Sequence, residues 1–454
     1  MRLRGAENDI TMYRITFIMA LILCALPSAA QQRRQWTLRE CIEHAVANNI
    51  TVKQQDVTRR QNEVELSTAK NSRLPDLNAS ASQNWSFGRG LTSENTYSNQ
   101  NTGNTSLTLG TSVPLFTGFR IPRTVELNRL NLEAATADLA KARDDISVQV
   151  AQAYVQILYD MELCEVAERQ IKIDSMQTER LREMYRTGKA SGVEVAQQEA
   201  TLAQSRLTRT QAEGDRRMAL LDLAQLLELP SPEGFGIVKP DTALISAGGS
   251  ASLPLPDEIY REAVASRPEV AAETYRLKSA EMNVKVQRSA LWPTLNLTAG
   301  LGSDYYKTSG LDADAFGRQM RNNFSQYIGL SLSVPIFNRF ATRNSIRTAR
   351  LGRESQELQL ENVRKNLYKE IQQAYYNAVT AGAQYESSTE AARSSRAAFE
   401  LMTAKYEYGK ANMTEFNEAK ANWLKAESDL ARAKFEYMYD TSILDFYRGR
   451  GLDF

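Results

Sequence analysis

The sequence contains an internal duplication, and this feature constrains the fold more than any other. The segment Val113–Phe116, Val-Pro-Leu-Phe, recurs as Val-Pro-Ile-Phe at Val334–Phe337, so the numbering is offset by 221. Two further pairs share that offset: Ala153-Tyr154 with Ala374-Tyr375, and Gly188-Lys189-Ala190 with Gly409-Lys410-Ala411. Upstream, Leu74–Leu77 corresponds to Trp292–Leu295 with an offset of 218, which indicates a short insertion or deletion between the copies. Two tandem copies of one structural unit are therefore predicted.

The duplication also predicts the domain organisation of the chain. We assign residues 1–30 to a signal peptide, 31–229 to the first copy, 230–256 to a linker rich in Pro, Gly and Ser, and 257–454 to the second copy. Each copy is expected to contain a lead-in helix, two strands and a long antiparallel helical hairpin. The predicted strands span about 77–87, 106–115, 295–305 and 326–336, and the predicted hairpins span 123–229 and 340–447.

The long helices are predicted from the distribution of proline and of apolar residues. No proline falls between 123 and 229 or between 336 and 454, and proline is excluded from helix interiors. Leu132, Leu139 and Ile146 follow one another at intervals of seven residues, which is typical of a coiled-coil stripe. An unbroken helix over residues 123–187 would be roughly 98 Å long at 1.5 Å per residue. Such a helix belongs to a rod, a bundle or a tube.

The predicted strands alternate between apolar and small or polar residues. Leu107, Leu109 and Val113 alternate in the first copy, and Leu330 and Leu332 do so in the second. Polar, Gly-containing segments such as 98–104 are expected to form the loops. Aromatic residues mark the strand ends near these loops, namely Trp85, Phe87, Tyr305, Tyr306, Phe324 and Tyr327.

This pattern is typical of a transmembrane β-barrel wall, although a two-faced sheet on a soluble core would also alternate. Four strands are too few to close a membrane barrel, and an open sheet edge cannot lie in lipid. The barrel is therefore expected to be shared between subunits.

The N-terminus predicts export from the cytoplasm. Arg14 precedes an apolar run from Ile15 to Leu26, and small residues around Ala30 fit a cleavage site. Met12 is an alternative start. Leu23 precedes Cys24 where a lipidation site has a small residue, so acylation is not expected. No later segment reaches 18 uninterrupted apolar residues, so contact with a membrane would have to be made by strands or by a surface.

The composition argues against most catalytic and metal-binding chemistry. The chain has one His and three Cys, too few for a zinc cluster or for a Ser/His/Asp triad that does not depend on His44. His44 is interpreted as a structural residue. With 55 Lys plus Arg against 54 Asp plus Glu, no basic excess favours nucleic acid as a partner. We therefore expect no enzymatic activity, no cofactor and no metal site.

These features together resemble the TolC-like outer membrane efflux protein family, also called outer membrane factors. The most specific similarities are the Val-Pro-hydrophobic-Phe segments and the tips Tyr185–Ala190 and Tyr406–Ala411. The resemblance implies a mainly α fold with a β-barrel part. It implies a homotrimer with a 12-stranded barrel in outer membrane lipid and an α-helical barrel in the periplasm. It further implies an exit duct that works with a periplasmic adaptor, or membrane fusion protein, and an inner-membrane pump, and passes drugs, metals, dyes or proteins.

The resemblance also assigns functional residues. Gly188, Lys189, Gly409 and Lys410 correspond to the turns on which the adaptor docks. This chain departs from the family by placing lysine after each glycine, where a hydrophobic residue is common. Whether or not they dock an adaptor, both glycines are expected to end helices in the left-handed conformation.

Glu415 and Glu418 match the carboxylates that form the pore constriction in the family. They are three residues apart and share one helix face, and their first-copy counterparts are Glu194 and Gln197. A solvated helix face is the alternative interpretation of the two carboxylates. For the whole chain, the alternative to an exit duct is a secreted coiled-coil scaffold or adhesin.

Overall fold

A computed structural model describes residues 34–91, 95–240 and 253–452. The predicted signal peptide and much of the predicted linker lie outside these residues. The described chain forms two compact units, each assembled from segments that are distant in sequence. The first unit contains residues 34–50, 144–240, 253–259 and 372–452. The second unit contains residues 51–91, 95–143 and 260–371.

Among the described residues, the two copies have the same order of elements except that a short helix, α7 (Phe316–Asn322), lies between the two strands of the second copy only. Along the chain these are β1 (Arg34–Trp36), α1 (Leu38–Asn48), α2 (Ile50–Asn71), β2 (Asn78–Leu91), β3 (Tyr97–Phe116), α3 (Arg120–Arg186), α4 (Gly192–Leu226), β4 (Phe235–Ile237), α5 (Pro256–Ser266), α6 (Pro268–Ser289), β5 (Thr294–Thr308), α7 (Phe316–Asn322), β6 (Ser325–Ser333), α8 (Ala341–Glu407) and α9 (Met413–Tyr447). Helices α3 and α8 each have 67 residues, and α4 and α9 each have 35, so the duplication extends to helix length.

Three details of the sequence prediction were wrong. The lead-in helix is two helices in each copy, because Asn49 adopts an extended backbone between α1 and α2, and Arg267 does so before Pro268. The segment 98–104 belongs to strand β3, where its polar residues pair with β2. Strand β6 ends at Ser333, short of the predicted 336, because residues 334–336 have no hydrogen-bonded strand beside them among the described residues.

A four-stranded antiparallel sheet lies in the second unit, in the order β2-β3-β5-β6. Ala79 pairs with Leu109 in the first hairpin, and Leu297 pairs with Leu330 in the second. These two pairs coincide when the numbering of β2 is raised by 218 and that of β3 by 221. The duplication therefore preserves the hydrogen-bond register as well as the sequence.

The core of the first unit is formed by the long helices. Its fully buried side chains include Val150, Ile157, Leu158, Leu223, Leu227, Phe435 and Leu444. Beside them, β1 and β4 form a two-stranded parallel sheet, and the Tyr154 hydroxyl donates a 2.5 Å hydrogen bond to the carbonyl of Val238 just after β4. His44 packs edge-on against Trp36 in this region, with ring centroids 4.9 Å apart.

Among the helices of the described residues, none is both long and apolar enough to cross a membrane.

Candidate functional site

The two helical hairpins of the first unit end in turns of identical construction. At the first turn, the amide of Gly188 donates to Tyr185 O at 3.0 Å and the amide of Lys189 donates to Met184 O at 2.7 Å. This is the Schellman motif, which satisfies the last carbonyls of a helix with a residue of positive φ. Gly188 has φ of 73°, as predicted for a left-handed helix end.

The second turn repeats this geometry. The amide of Gly409 donates to Tyr406 O at 3.1 Å, the amide of Lys410 donates to Lys405 O at 2.8 Å, and Gly409 has φ of 69°. Apart from the glycine itself and its two neighbours in the chain, the described residues place no heavy atom within 4 Å of a Cβ on either glycine. The glycines are therefore required by backbone conformation and not by crowding.

A capping box starts the helix that follows each turn. Ser191 accepts a hydrogen bond from the amide of Glu194 at 3.2 Å, and the Glu194 carboxylate accepts one from the amide of Ser191 at 2.7 Å. Asn412 and Glu415 form the same reciprocal pair at the start of α9, with both distances 2.9 Å. Each tip is thus a Schellman motif joined to a capping box through the short segment Gly-Lys-Ala.

The tips present basic side chains to solvent. Lys189 and Lys410 are exposed and follow the left-handed glycines directly. Arg186 is also exposed, and it forms a 3.1 Å ion pair with Glu183. A cation at the C-terminal end of a helix is favoured by the negative end of the helix dipole. The lysines therefore stabilise the turns and also place two exposed cations at the tips.

The structure places the predicted pore residues on the solvent-exposed surface of a single chain. Glu415 and Glu418 are both exposed, and the Glu415 carboxylate is engaged in the capping box. The counterpart Glu194 has the same local role. Hydrogen bonds from Ser191 lower the pKa of Glu194 below its ordinary value. A role of Glu415 and Glu418 in a constriction remains a prediction.

Aromatic packing anchors the second tip. Phe416, which is buried, stacks on Tyr406 with ring centroids 5.0 Å apart, and Phe399 stacks on Trp423 at 4.9 Å. The Arg180 guanidinium, on α3, lies 5.4 Å from the Tyr406 ring.

Arg180 also donates a 3.3 Å hydrogen bond to the carbonyl of Glu407. A residue of the first hairpin thus holds the end of α8 directly.

Sequence reasoning missed a buried polar cluster near the tips. Asp174 on α3 forms an ion pair with Lys420 on α9, and both side chains are buried, with 0% and 4% exposed. Ser205 Oγ on α4 donates to Asp174 Oδ2 at 2.5 Å, and Gln198 Nε2 donates to Asp174 Oδ1 at 3.4 Å. Three helices therefore meet at one carboxylate.

This cluster has no counterpart in the other copy. The positions equivalent to Asp174 and Lys420 under the offset of 221 are Ser395 and Glu199. The sequence did contain a signal, because Lys420 lies in a row with the buried Phe416 and Leu424 at intervals of four residues. A lysine within such an apolar row indicates a buried, paired cation.

A sequence profile of the outer membrane efflux protein family matches residues 41–228 and 259–442. The chain therefore belongs to that family, whose members are transport channels and not enzymes. The family match confirms the resemblance, the fold class and the outer membrane location predicted from the sequence. Channels of this family are trimers that work within tripartite pumps.

Similar proteins include CyaE of Bordetella pertussis, 27% identical over 65% of this chain and 60% of CyaE. The outer membrane efflux protein BepC of Brucella suis is 24% identical over 84% of this chain and 75% of BepC. The pyoverdine export outer membrane protein OpmQ of Pseudomonas aeruginosa is 28% identical over 46% of this chain and 41% of OpmQ. The matches thus span between about two fifths and three quarters of these relatives.

Solved structures share the fold. A crystal structure of CusC has a TM-score of 0.74 at 18% identity, over 91% of this chain and 92% of CusC. The outer membrane protein VceC of Vibrio cholerae has a TM-score of 0.73 at 17% identity, over 92% of this chain and 97% of VceC. At this level of identity the likeness concerns the fold alone.

Proposed function

We propose that this chain is the outer membrane exit duct of a tripartite efflux or secretion system. In this role it passes small molecules such as drugs or metals, or proteins, without chemical conversion. The observation that carries the proposal is the apolar face of the sheet, on which Leu109, Leu301 and Leu330 are exposed. Side chains of this kind are stable in contact with lipid and unfavourable in water.

Cell fractionation tests the exit duct against the secreted scaffold or adhesin. The mature protein is expected in outer membranes and in detergent extracts, and its deletion should lower the export of at least one toxic compound. Recovery in the periplasm or the medium without detergent would contradict the duct. Chromatography with light scattering should give three times the mass of the mature chain in detergent.

We propose that the tips dock a periplasmic adaptor through Gly188, Lys189, Gly409 and Lys410. The exposed ammonium groups of Lys189 and Lys410 support this role and favour a partner that presents carboxylates or carbonyl oxygens at these two positions. The variant Lys189→Glu/Lys410→Glu should reduce copurification of the periplasmic adaptor, with trimer assembly unchanged. Lys172→Glu, an exposed lysine further back on α3, is the matched control. Equal copurification in all variants would contradict docking through the lysines.

We propose that Glu415 and Glu418 line a constriction at which copies of the chain converge. Threefold symmetry would gather six carboxylates there, which attract cations and bind multivalent ones. In planar bilayers, Glu415→Gln/Glu418→Gln should lose cation selectivity and block by trivalent cations. Glutamine also serves at the third position of a capping box, so the substitution leaves the turn intact.

Glu194→Gln is the matched control for the constriction, because it changes the same capping residue in the copy that has Gln197 in place of a second carboxylate. It should have the smaller effect. Selectivity and block that are unchanged in Glu415→Gln/Glu418→Gln would leave the two residues on a solvated helix face.

A further inference from the structure

Tyr327 lies on the polar face of the four-stranded sheet. Its neighbours on that face of β6 are Ser325 and Gly329, whereas the apolar residues Ile328 and Leu330 lie on the opposite face. In a membrane barrel the polar face lines the lumen and the apolar face contacts lipid. Under the proposed function, Tyr327 is therefore a residue of the lumen.

A glycine on the neighbouring strand lies directly beneath the Tyr327 ring. Gly300 of β5 is the register partner of Tyr327, and Gly110 of β3 is the register partner of Gly300. A Cβ on Gly300 would lie 2.6 Å from Cε1, 2.8 Å from Cζ and 2.9 Å from the hydroxyl oxygen of Tyr327. A Cβ on Gly110 would lie 4.0 Å from the same hydroxyl oxygen. The tyrosine side chain therefore extends across β5 toward β3 and lies against the sheet.

The position of the ring, and not the backbone, accounts for the glycine at 300. Gly300 does not have a positive φ, so its strand conformation is accessible to any residue. Glycine inside a strand weakens the strand and commonly marks a place where another group approaches closely. Here that group is the Tyr327 ring, which lies flat although side chains in strands otherwise stand roughly perpendicular to the sheet. A side chain at position 300 would displace the ring from the sheet.

The first copy has the equivalent pair of positions without this contact. When 218 is subtracted from the β5 position and 221 from the β6 position, Gly300 and Tyr327 become Ser82 and Ser106. Ser82 and Ser106 are register partners in β2 and β3. The duplication therefore preserves the pair of positions, but only the second copy places an aromatic ring and a glycine there.

We propose that Tyr327 determines the largest cargo that passes the barrel, and that Gly300 sets this limit by allowing the ring to lie flat. Tyr327 is 61% exposed, so the ring has room to rotate away from the sheet into another rotamer. A flat ring leaves the lumen wide, whereas a ring that stands away from the sheet projects into it. In a trimer, three such rings would project at the same level. The inference rests on the proposed function, because the polar face is a lumen only if the sheet is a channel wall.

Polymer exclusion in planar bilayers tests this role of Tyr327. Polyethylene glycols of graded size are added on the side of the bilayer opposite the tips, and the largest polymer that enters and lowers the current is recorded. This size cut-off measures the width of the barrel and not that of a constriction near the tips. Gly300→Ala should lower the cut-off, because one methyl group in each chain displaces the ring. Tyr327→Ala should not lower it.

Gly302→Ala is the matched control. Gly302 lies on the same face of β5, and the nearest described atoms to a Cβ there are Leu107 O and Thr108 Cγ2, both at 3.6 Å. This is ordinary van der Waals contact, so the cut-off should stay at the wild-type value. Gly300→Ala/Tyr327→Ala should have the cut-off of Tyr327→Ala, because it has no ring to displace.

The first copy offers a second test that does not depend on assembly of Gly300→Ala. Ser106→Tyr places a ring opposite Ser82, whose side chain occupies the space that a glycine would leave free. The ring should then stand away from the sheet and lower the cut-off. Ser106→Tyr/Ser82→Gly reproduces the pair of the second copy and should raise the cut-off again.

The outcomes separate this role from the proposed function. Equal cut-offs in Gly300→Ala, Gly302→Ala and the wild type, in proteins that are trimeric by light scattering, would overturn the role of Tyr327 and leave the duct. A cut-off that remains low in Gly300→Ala/Tyr327→Ala would also overturn it, because the barrel itself would then be narrower. A protein that forms no channels in the bilayer would overturn the duct and the role of Tyr327 together.

Discussion

Removal of the Lys420 ammonium should destabilise the packing of α3 against α9 far more than removal of the ammonium of an exposed lysine nearby. Asp174 is fully buried, and Lys420 is its only cationic partner among the described residues. In Lys420→Met, the carboxylate would keep only hydrogen bonds such as those from Ser205 and Gln198. Leaving a buried charge without its counterion costs about 3–5 kcal/mol.

An exposed pair on the same helix provides the matched control. Lys425 and Asp429 lie 2.7 Å apart, with side chains 76% and 48% exposed. Such pairs contribute about 0–1 kcal/mol, so Lys425→Met should have little effect. A cost of about 3–5 kcal/mol, at about 1.4 kcal/mol for each factor of ten, corresponds to a roughly 100- to 5,000-fold change in an equilibrium constant. Lys420→Met should therefore raise the equilibrium constant for local opening of the contact between α3 and α9 by this factor.

Hydrogen exchange on the assembled protein in detergent measures this difference. Amides near Asp174 and Lys420 should exchange faster in Lys420→Met and remain close to wild type in Lys425→Met. The double variant Asp174→Asn/Lys420→Met removes both charges and should recover much of the protection, because replacing a buried pair is far less costly than breaking it.

Two results would refute this reasoning. Equal exchange in Lys420→Met and Lys425→Met would show that the buried pair contributes no more than a surface pair. No recovery in the double variant would show that packing of the lysine side chain, and not its charge, holds the joint.

Backbone conformation and burial give three further predictions. Gly188→Val/Gly409→Val should weaken export while the trimer persists, because β-branched residues resist positive φ; export assays with light scattering on the same variant check this. Burial and a neighbouring carboxylate raise the pKa of Asp440 to about 6. The folded state therefore binds this proton more tightly than the unfolded chain does. The free energy of unfolding should consequently fall as pH rises from about 4 through 6. Asp440→Asn should flatten this fall by about 1 kcal/mol, a value reduced for partial exposure, and an unchanged pH dependence of urea unfolding would refute it. Gly118→Ala should destabilise the chain by about 2 kcal/mol or more because the new Cβ collides with backbone and side-chain atoms. Arg339→Gly, at the equivalent position of the second copy, should not destabilise the chain. Thermal unfolding of the two variants measures this difference.

The duplication made much of this fold predictable. Two of the three motifs that share the offset of 221 identified the strand-to-helix junctions and the tips, because each junction and tip is a short motif with one permitted backbone geometry. The polar segment 98–104 lacks the apolar alternation of a strand, so its sequence predicts a loop. It is a strand nonetheless, since its pairing with β2 supplies the hydrogen bonds and neither face needs a core.

The buried cluster could not be predicted in the same way. Asp174, Ser205 and Lys420 lie on three helices that are far apart in sequence, and only the packing of those helices brings them together. The apolar row around Lys420 indicated a buried cation but not its partner. The open sheet edges likewise depend on the strand order, which alternation alone does not specify.

The two copies differ at the positions where one joint lies within a chain and its counterpart would lie between chains. The ion pair of Asp174 with Lys420 connects α3 to α9 within one chain. The equivalent contact, between α8 of one copy and α4 of a neighbouring copy, would bring Ser395 near Glu199. Glu199 already forms a 2.7 Å ion pair with Arg182 in its own hairpin, so its carboxylate is not expected to form a strong ion pair with a neighbouring copy. We therefore expect α3 and α9 of one chain to separate more rarely than α8 and α4 of neighbouring chains. If the chain forms the proposed trimer, amides around Asp174 should exchange more slowly than those around Ser395 in the wild-type protein, and equal rates would show that the missing ion pair is compensated elsewhere.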